Sequence, residues 1–460
     1  MQPAGDPYTL TEAEIQEPPK SFWRSLRFLG PGFILSASIV GSGELIATTT
    51  LGARAGFTAF WLILVSCVVK VTIQLEFGKH AISTGESTMR SFNRLPGPKF
   101  GRASWSIWVW LAMMLAKTVQ LGGILGGVGV ILEIAFPALR REIWLSLAAV
   151  AVALLVFRGY YSLLEKVSLL LLALFTVLTL VSVGALQWTE EYRVSWEQIA
   201  SGLRFDLPAG MVVVALGAFG ITGVGGDEIM HYNYWLIEKG YARKTGPPRP
   251  GDPQWVRRAR GWIRVMYMDA LASMVVYTVV TAAFYLLGAA ILHRRGDVPE
   301  GFEMVRTLSR IYTETLGPWA ETVFLAGAFV VLFSTLFSAL GGWTRVTADA
   351  LGRIGMFDFD NPRQRRLAIA WLAWLFPLIW AILIFIFKEP VGMVLVGGVI
   401  TTAILLLVVF AAVFFRYRCL PAELAPSRFY DLSFWMSVLA ILGVGVIVLG
   451  SAVGWLGGRG

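Results

Sequence analysis

Of 460 residues, 56% are hydrophobic and only 15% are charged, whereas an ordinary soluble domain carries roughly 25% charged residues. Too few charges remain to cover several water-soluble globules, which excludes a string of soluble domains and a disordered or disulfide-rich secreted chain. The net charge of +9 does not point to nucleic acid, because the basic residues fall between apolar runs rather than along one face or arm.

Residues 1–27 read as a polar, flexible tail. They contain Asp6, Glu12, Glu14, Glu17 and the pair Pro18-Pro19, the opposite of a basic, apolar signal sequence. Apolar runs that suit a hydrocarbon core of roughly 30 Å follow at 31–54, 57–78, 104–132, 142–157, 163–187, 209–238, 264–292, 319–344, 367–387, 390–415 and 431–453. The chain is therefore expected to be an all-α integral membrane protein with eleven helices. Cys67 and Cys419 are lone thiols with no metal-ligand spacing.

An N-terminus in the cytoplasm puts 26 Lys and Arg residues inside and 11 outside, with two inside spans. That asymmetry is what the positive-inside rule selects, and with eleven spans it leaves the C-terminus outside. Trp188, Trp196 and Trp319 then fall near outer boundaries, as an aromatic belt requires. The expected location is the plasma (inner) membrane.

The first span opens Gly30-Pro31-Gly32-Phe33 and is interrupted at Gly41-Ser42-Gly43-Glu44. The sixth is interrupted in the same way at Gly223-Val224-Gly225-Gly226-Asp227-Glu228. Such clusters expose backbone and carboxylates, which lipid tolerates only where they are buried in protein or line a cavity. Glu44 and Glu228 lie 184 residues apart with five spans between corresponding points. An odd number inverts the second copy, the signature of inverted repeats whose broken helices build a substrate site at mid-membrane. Unwound carbonyl ends attract cations and amide ends attract anions. A carboxylate at the bilayer centre costs at least about 2.5 kcal/mol, which marks Glu44, Asp227 and Glu228 as site-lining. Gly122, Gly123, Gly126 and Gly127 read instead as packing residues.

These motifs make the chain similar to the Nramp family of divalent-metal transporters, built on the LeuT-type fold. Gly30-Pro31-Gly32-Phe33 matches the family's first helix, and Leu75-Glu76-Phe77-Gly78-Lys79-His80 with Thr84-Gly85-Glu86 extends the match through the second span. The resemblance implies two five-helix repeats, 28–187 and 205–415, with first and sixth helices broken, then an added eleventh helix in 416–460. It aligns the family's Asp-Pro-Gly-Asn with Gly41-Ser42-Gly43-Glu44, and its Met-Pro-His-Asn with Gly225-Gly226-Asp227-Glu228. The family's ligands include that Asp, the first Asn and the Met. Here the Asp and Met positions are glycine and both Asn positions are glutamate. The resulting oxygen donors suit hard ions such as Mg²⁺, Ca²⁺ or Mn²⁺ over soft metals. Lys117-Thr118-Val119-Gln120 stands where the family shows acids of its proton route, and a family histidine falls at Tyr232, which argues against proton coupling of that type.

The expected function is secondary-active or facilitated transport of a cation, with Mg²⁺ or Mn²⁺ foremost and Glu44, Asp227 and Glu228 as ligands. Gly41, Ser42, Gly43, Gly225 and Gly226 complete the substrate site. Lys117, Gln120, Thr222, His231 and Tyr232 are pathway or coupling candidates. Lys117 must find a partner or a wet cavity, and Glu44, Asp227 or Glu228 would provide one. Lys70 and Glu76 read as an interfacial or gate contact, and Asp269 as structural. The expected partners are the lipid bilayer and the transported cation, with neither cofactor nor obligate protein partner. Organic cations or zwitterions are the alternative substrates, and a non-transporting sensor is a further alternative. A membrane enzyme is disfavoured, since the chain has no His-Glu-x-x-His, Gly-x-Ser-x-Gly or Walker pattern.

Overall fold

A computed structural model describes residues 6–452, apart from 33–35, 37–38, 42, 159–160 and 209. Helices occupy each of the eleven apolar stretches. α1 comprises a π-helical turn Gly43–Thr48 and Thr49–Ala55, and it is followed by α2 (Phe60–Thr84), α3 (Trp105–Ala135), α4 (Arg141–Arg158) and α5 (Tyr161–Ala185). α6 is split into Val212–Ile221 and Gly226–Glu238. α7 (Pro253–Leu287), α8 (Ala320–Ile354), α9 (Pro362–Phe387), α10 (Pro390–Phe414) and α11 (Arg428–Ala452) complete the order. Among the described residues, eight helices are long and apolar enough to cross a membrane unaided. α1, α4 and α5 are not among them because α1 is broken, α4 is short with charged ends, and α5 is described only in part.

Local chemistry sets the helix starts. Proline, with its preset φ and missing N–H, occupies N1 of α7, α9 and α10. The side chains of Asp252 and Asn361 accept from Gln254 N (2.9 Å) and Arg363 N (3.0 Å), satisfying otherwise orphaned donors of α7 and α9. Between α2 and α3 lies a two-stranded antiparallel hairpin with Lys99 opposite Ser104. A short helix, Met304–Leu316, precedes α8.

The bundle has an internal symmetry. α3 packs on α10 and α9, α8 packs on α5 and α4, and α2 packs on α7. Shifting each helix number by five converts the first set into the second and returns α2–α7 to itself, as an inverted pair of five-helix repeats requires. Of the eight long apolar helices, α6 is the most enclosed: 83% of its apolar stretch is buried, against 39% in α9 and 28% in α11, which face outward. Gly122, Gly123 and Gly126 let α3 approach α9 and α10, where an added Cβ would meet Met393, Pro390 O and Ile384 within 2.8 Å.

Contacts sort the loops onto two faces. Arg90 reaches Asp360, joining the loops after α2 and α8, and Arg260 in the first turns of α7 reaches Glu423 O in the loop after α10. On the opposite face, Arg54 pairs with Glu300 and Trp61 donates to Asp206 O, joining the loops after α1, α5 and α7.

The N-terminal segment is not the free tail expected from its polarity. Asp6 pairs with Arg365 (2.5 Å), Glu14 with Arg243 (2.7 Å) and Glu12 with Arg249, while Tyr8 donates to Glu238 at 2.9 Å. Trp262 donates to Gln16 O at 3.0 Å. The acids of this segment thus serve as counter-ions to the basic loops.

Candidate site at two broken helices

The interruption in α6 is an exchange of hydrogen-bond partners. The first half ends at Thr222, which is extended (ψ 131°), and Gly223 then turns through φ +67°, a left-handed value that glycine adopts without strain. The amides that would have continued the helix go to carboxylates: Gly223 N to Glu44 Oε1 at 3.4 Å and Gly225 N to Glu228 Oε2 at 2.5 Å. A Cβ on Gly225 would lie 2.7 Å from that same Glu228 oxygen. The room left by a missing side chain at 225 is therefore filled by Glu228, which caps the second half-helix at its positive end.

α1 crosses α6 at this point. A Cβ on Gly43 would stand 2.7 Å from Ile221 O, so only glycine permits the approach. Thr48 donates to Gly43 O (3.1 Å), and its hydroxyl also meets that of Thr222 (3.0 Å), tying one break to the other. Gly41 lies in a turn, and its carbonyl accepts from Leu45 N at 3.0 Å. Ser42 lies outside the described residues.

The acids separate into two environments. Glu44 is fully buried and faces α7, where Thr281 donates to its Oε1 at 2.9 Å; its Oε2 has no hydrogen-bond partner among the described residues. Asp227 and Glu228 instead wall a small void of about 20 Å³, space for about one water molecule. Gly43, Lys117, Gln120, Trp343 and Thr401 also line it, whereas Glu44 does not. Asp227 Oδ1 accepts from Lys117 in a buried ion pair and its Oδ2 accepts from Trp343 Nε1 at 3.1 Å. Among the described residues no three His, Cys, Asp or Glu side chains converge as a metal cluster.

The remaining candidates have structural partners. Gln120 packs against Gly397 of α10, leaving its Oε1 buried and unbonded among the described residues. His231 presses on Gly342 of α8, and its Nε2 likewise has no such partner. Tyr232 donates to Asp269, which also accepts from the amides of Gly30 (2.9 Å) and Gly32 (2.5 Å) and so holds the segment that leads into α1.

The expected Lys70–Glu76 contact does not form. Six positions on a helix put the two on different faces, whereas three positions put Glu76 beside Lys79, and that pair forms at 2.5 Å. Sequence reasoning also missed Trp343, Thr281 and Thr48. The only signal for them was a polar atom in an otherwise apolar span, and their partners are far away in the chain.

The family model described as natural resistance-associated macrophage protein-like matches residues 32–451. An uncharacterized Pasteurella multocida protein is 25% identical, covering 84% of this chain and 83% of its own. A Nostoc protein named divalent metal cation transporter MntH is 22% identical, covering 95% and 94%. A crystal structure of the Eremococcus coleocola manganese transporter superposes with TM-score 0.66 at 16% identity, over 98% of this chain and 93% of that one. The five-position symmetry, the paired breaks and the match across nearly the whole length agree: this is a LeuT-type membrane protein, not an enzyme, and the chain belongs to the Nramp family.

Proposed function

We propose that this chain carries a hard divalent metal ion, Mg²⁺ or Mn²⁺, across the plasma membrane by alternating access between the two broken helices. The observation that carries the reading is the crossing of the breaks at Gly43 and Ile221 beside a void walled by Asp227 and Glu228. The names of the MntH and manganese-transporter relatives support the divalent ion. The donors are all oxygens, which favours hard ions.

The void has room for about one water, so a hydrated ion enters only when the halves of α1 and α6 separate. Lys117 then competes with the ion for Asp227. An arriving dication displaces the ammonium and gathers Asp227, Glu228 and Glu44, and its departure restores the ion pair. The repeats 28–187 and 205–415 supply the two moving groups. The N-terminus lies in the cytoplasm, on the face bearing most of the basic loops, and the C-terminus lies outside.

Isothermal titration with Mg²⁺, Mn²⁺ and Ca²⁺ tests the reading. Saturable binding should be lost in Asp227→Asn and Glu228→Gln, and metal uptake into proteoliposomes should be lost with it. No binding at millimolar ion overturns the metal reading. A second reading, a zwitterionic substrate, draws on Lys117 and Asp227 themselves, which offer opposite charges at one void. Metal-independent amino-acid uptake would favour it.

A further inference from the structure

The broken sixth helix ends in a cage of carbonyls, and Lys70 of α2 fills it. Because the amide of Gly223 is diverted to Glu44 and that of Gly225 to Glu228, the last carbonyls of the first half-helix lose their helical partners. The fully buried Lys70 ammonium donates to the carbonyls of Phe219, of Thr222 at 2.8 Å and of Gly220 at 3.3 Å. Ser66, one turn earlier on α2, reaches the Phe219 and Thr222 carbonyls at 2.9 Å. The ammonium also lies 4.7 Å from the centre of the Phe219 ring. Three carbonyls and an aromatic face at the negative end of a helix are what a bare monovalent cation would seek.

We infer that Lys70 is a tethered cation: its ammonium takes the place of a soluble monovalent ion at the sixth-helix break and positions the half-helix that carries the site. The two acids that receive the diverted amides are the counterpart of this arrangement. Glu44 and Glu228 hold the amides, Lys70 holds the carbonyls, and both ends of the break have partners without a free ion. Lys70 is a positioning residue with no contact to the void between Asp227 and Glu228. The inference is independent of which substrate is carried.

The test is chemical rescue in Lys70→Ala, read as the melting temperature of purified protein in sodium, potassium, ammonium or methylammonium chloride, with choline chloride as reference. The truncated variant should melt several degrees below wild type in choline and recover in ammonium, methylammonium or sodium, while wild type shows no cation-specific shift. Lys70→Met, which fills the cage without charge, should be lowered and not rescued. A Lys70→Ala variant that melts like wild type, or is equally depressed in every salt, overturns the inference. Should that variant fail to fold, wild-type substrate uptake in choline decides: rates within about twofold of those in sodium or potassium uphold the tethered cation, and a loss of about tenfold overturns it. Failure of metal binding in the same wild-type protein would affect the proposed substrate and the uptake readout, and leave the melting result untouched.

Discussion

The hydroxyls of Thr48 and Thr222 lie 3.0 Å apart, one on each broken helix. Thr48 can donate to Gly43 O within its own helix, and in that state Thr222 supplies the proton between the two breaks. The contact exists because Gly43 lets α1 come down onto Ile221. Gly43→Ala would force a Cβ to 2.7 Å from a backbone oxygen, and overpacking of this kind costs about 1 to 3 kcal/mol. The expected outcome is a lowered melting temperature together with lost uptake. Wild-type values of both would show that the helices separate at no cost.

Lys117 and Asp227 are both buried, and removing one partner strands the other. Lys117→Met should destabilise the protein by about 3 to 5 kcal/mol, the usual penalty for half of a buried pair. The double variant Lys117→Met, Asp227→Asn should recover much of that loss. A double-mutant cycle in chemical denaturation checks the coupling, and strictly additive single effects would show that the pair contributes nothing.

The docked N-terminal segment is held largely by ion pairs, of which the exposed Glu12–Arg249 and Glu17–Arg257 are worth about 1 kcal/mol or less each, whereas Asp6–Arg365 is largely buried. Raising the salt to about 1 M shortens the screening length to about 3 Å, so the segment should detach before the bundle melts. Limited proteolysis within residues 6–18 should therefore accelerate with salt while the helices stay intact. Tyr8→Phe, which removes the bond to Glu238, should sensitise the segment at low salt. Cleavage independent of salt would contradict this attachment.

Asp297 lies in the loop after α7. Partial burial pushes its carboxyl up, but hydrogen bonds from Arg310 and Arg295 outweigh this and hold it below the usual carboxylate range. A folded-state value below the unfolded one stabilises the protein above the unfolded pKa, and that stabilisation is lost as pH falls through the folded value. Asp297→Asn should thus lower stability at neutral pH by less than about 1 kcal/mol, given its partial exposure. Its melting temperature should converge with wild type in acid. A deficit that stays constant with pH would assign the effect to packing.

Lipid imposes a simple rule on sequence: a spanning segment must be apolar over its length and satisfy its own backbone. The eleven helices could therefore be read from hydropathy, and the two exceptions to the rule, Gly41 to Glu44 and Gly223 to Glu228, stood out as breaks. Their five-span separation was enough to indicate the inverted repeat. Three-residue spacing likewise contains the Glu76–Lys79 pair, whereas the reading of Lys70 and Glu76 as an interfacial or gate contact overlooks it.

Distances across the bundle carry no such rule. Lys117 and Asp227 are 110 positions apart, and Glu44 is as buried as Asp227 yet faces α7 rather than the void. Which acid receives an amide, which receives an ammonium and where Lys70 finds its carbonyls depend on how helices rotate against one another, and that is set by close packing at glycines such as Gly43. By itself the sequence determined that charges and breaks lie inside the membrane, because the hydrophobic effect acts on composition along the chain. Only the tertiary structure decided their partners, because hydrogen bonds and ion pairs act over a few ångströms between residues far apart in that chain.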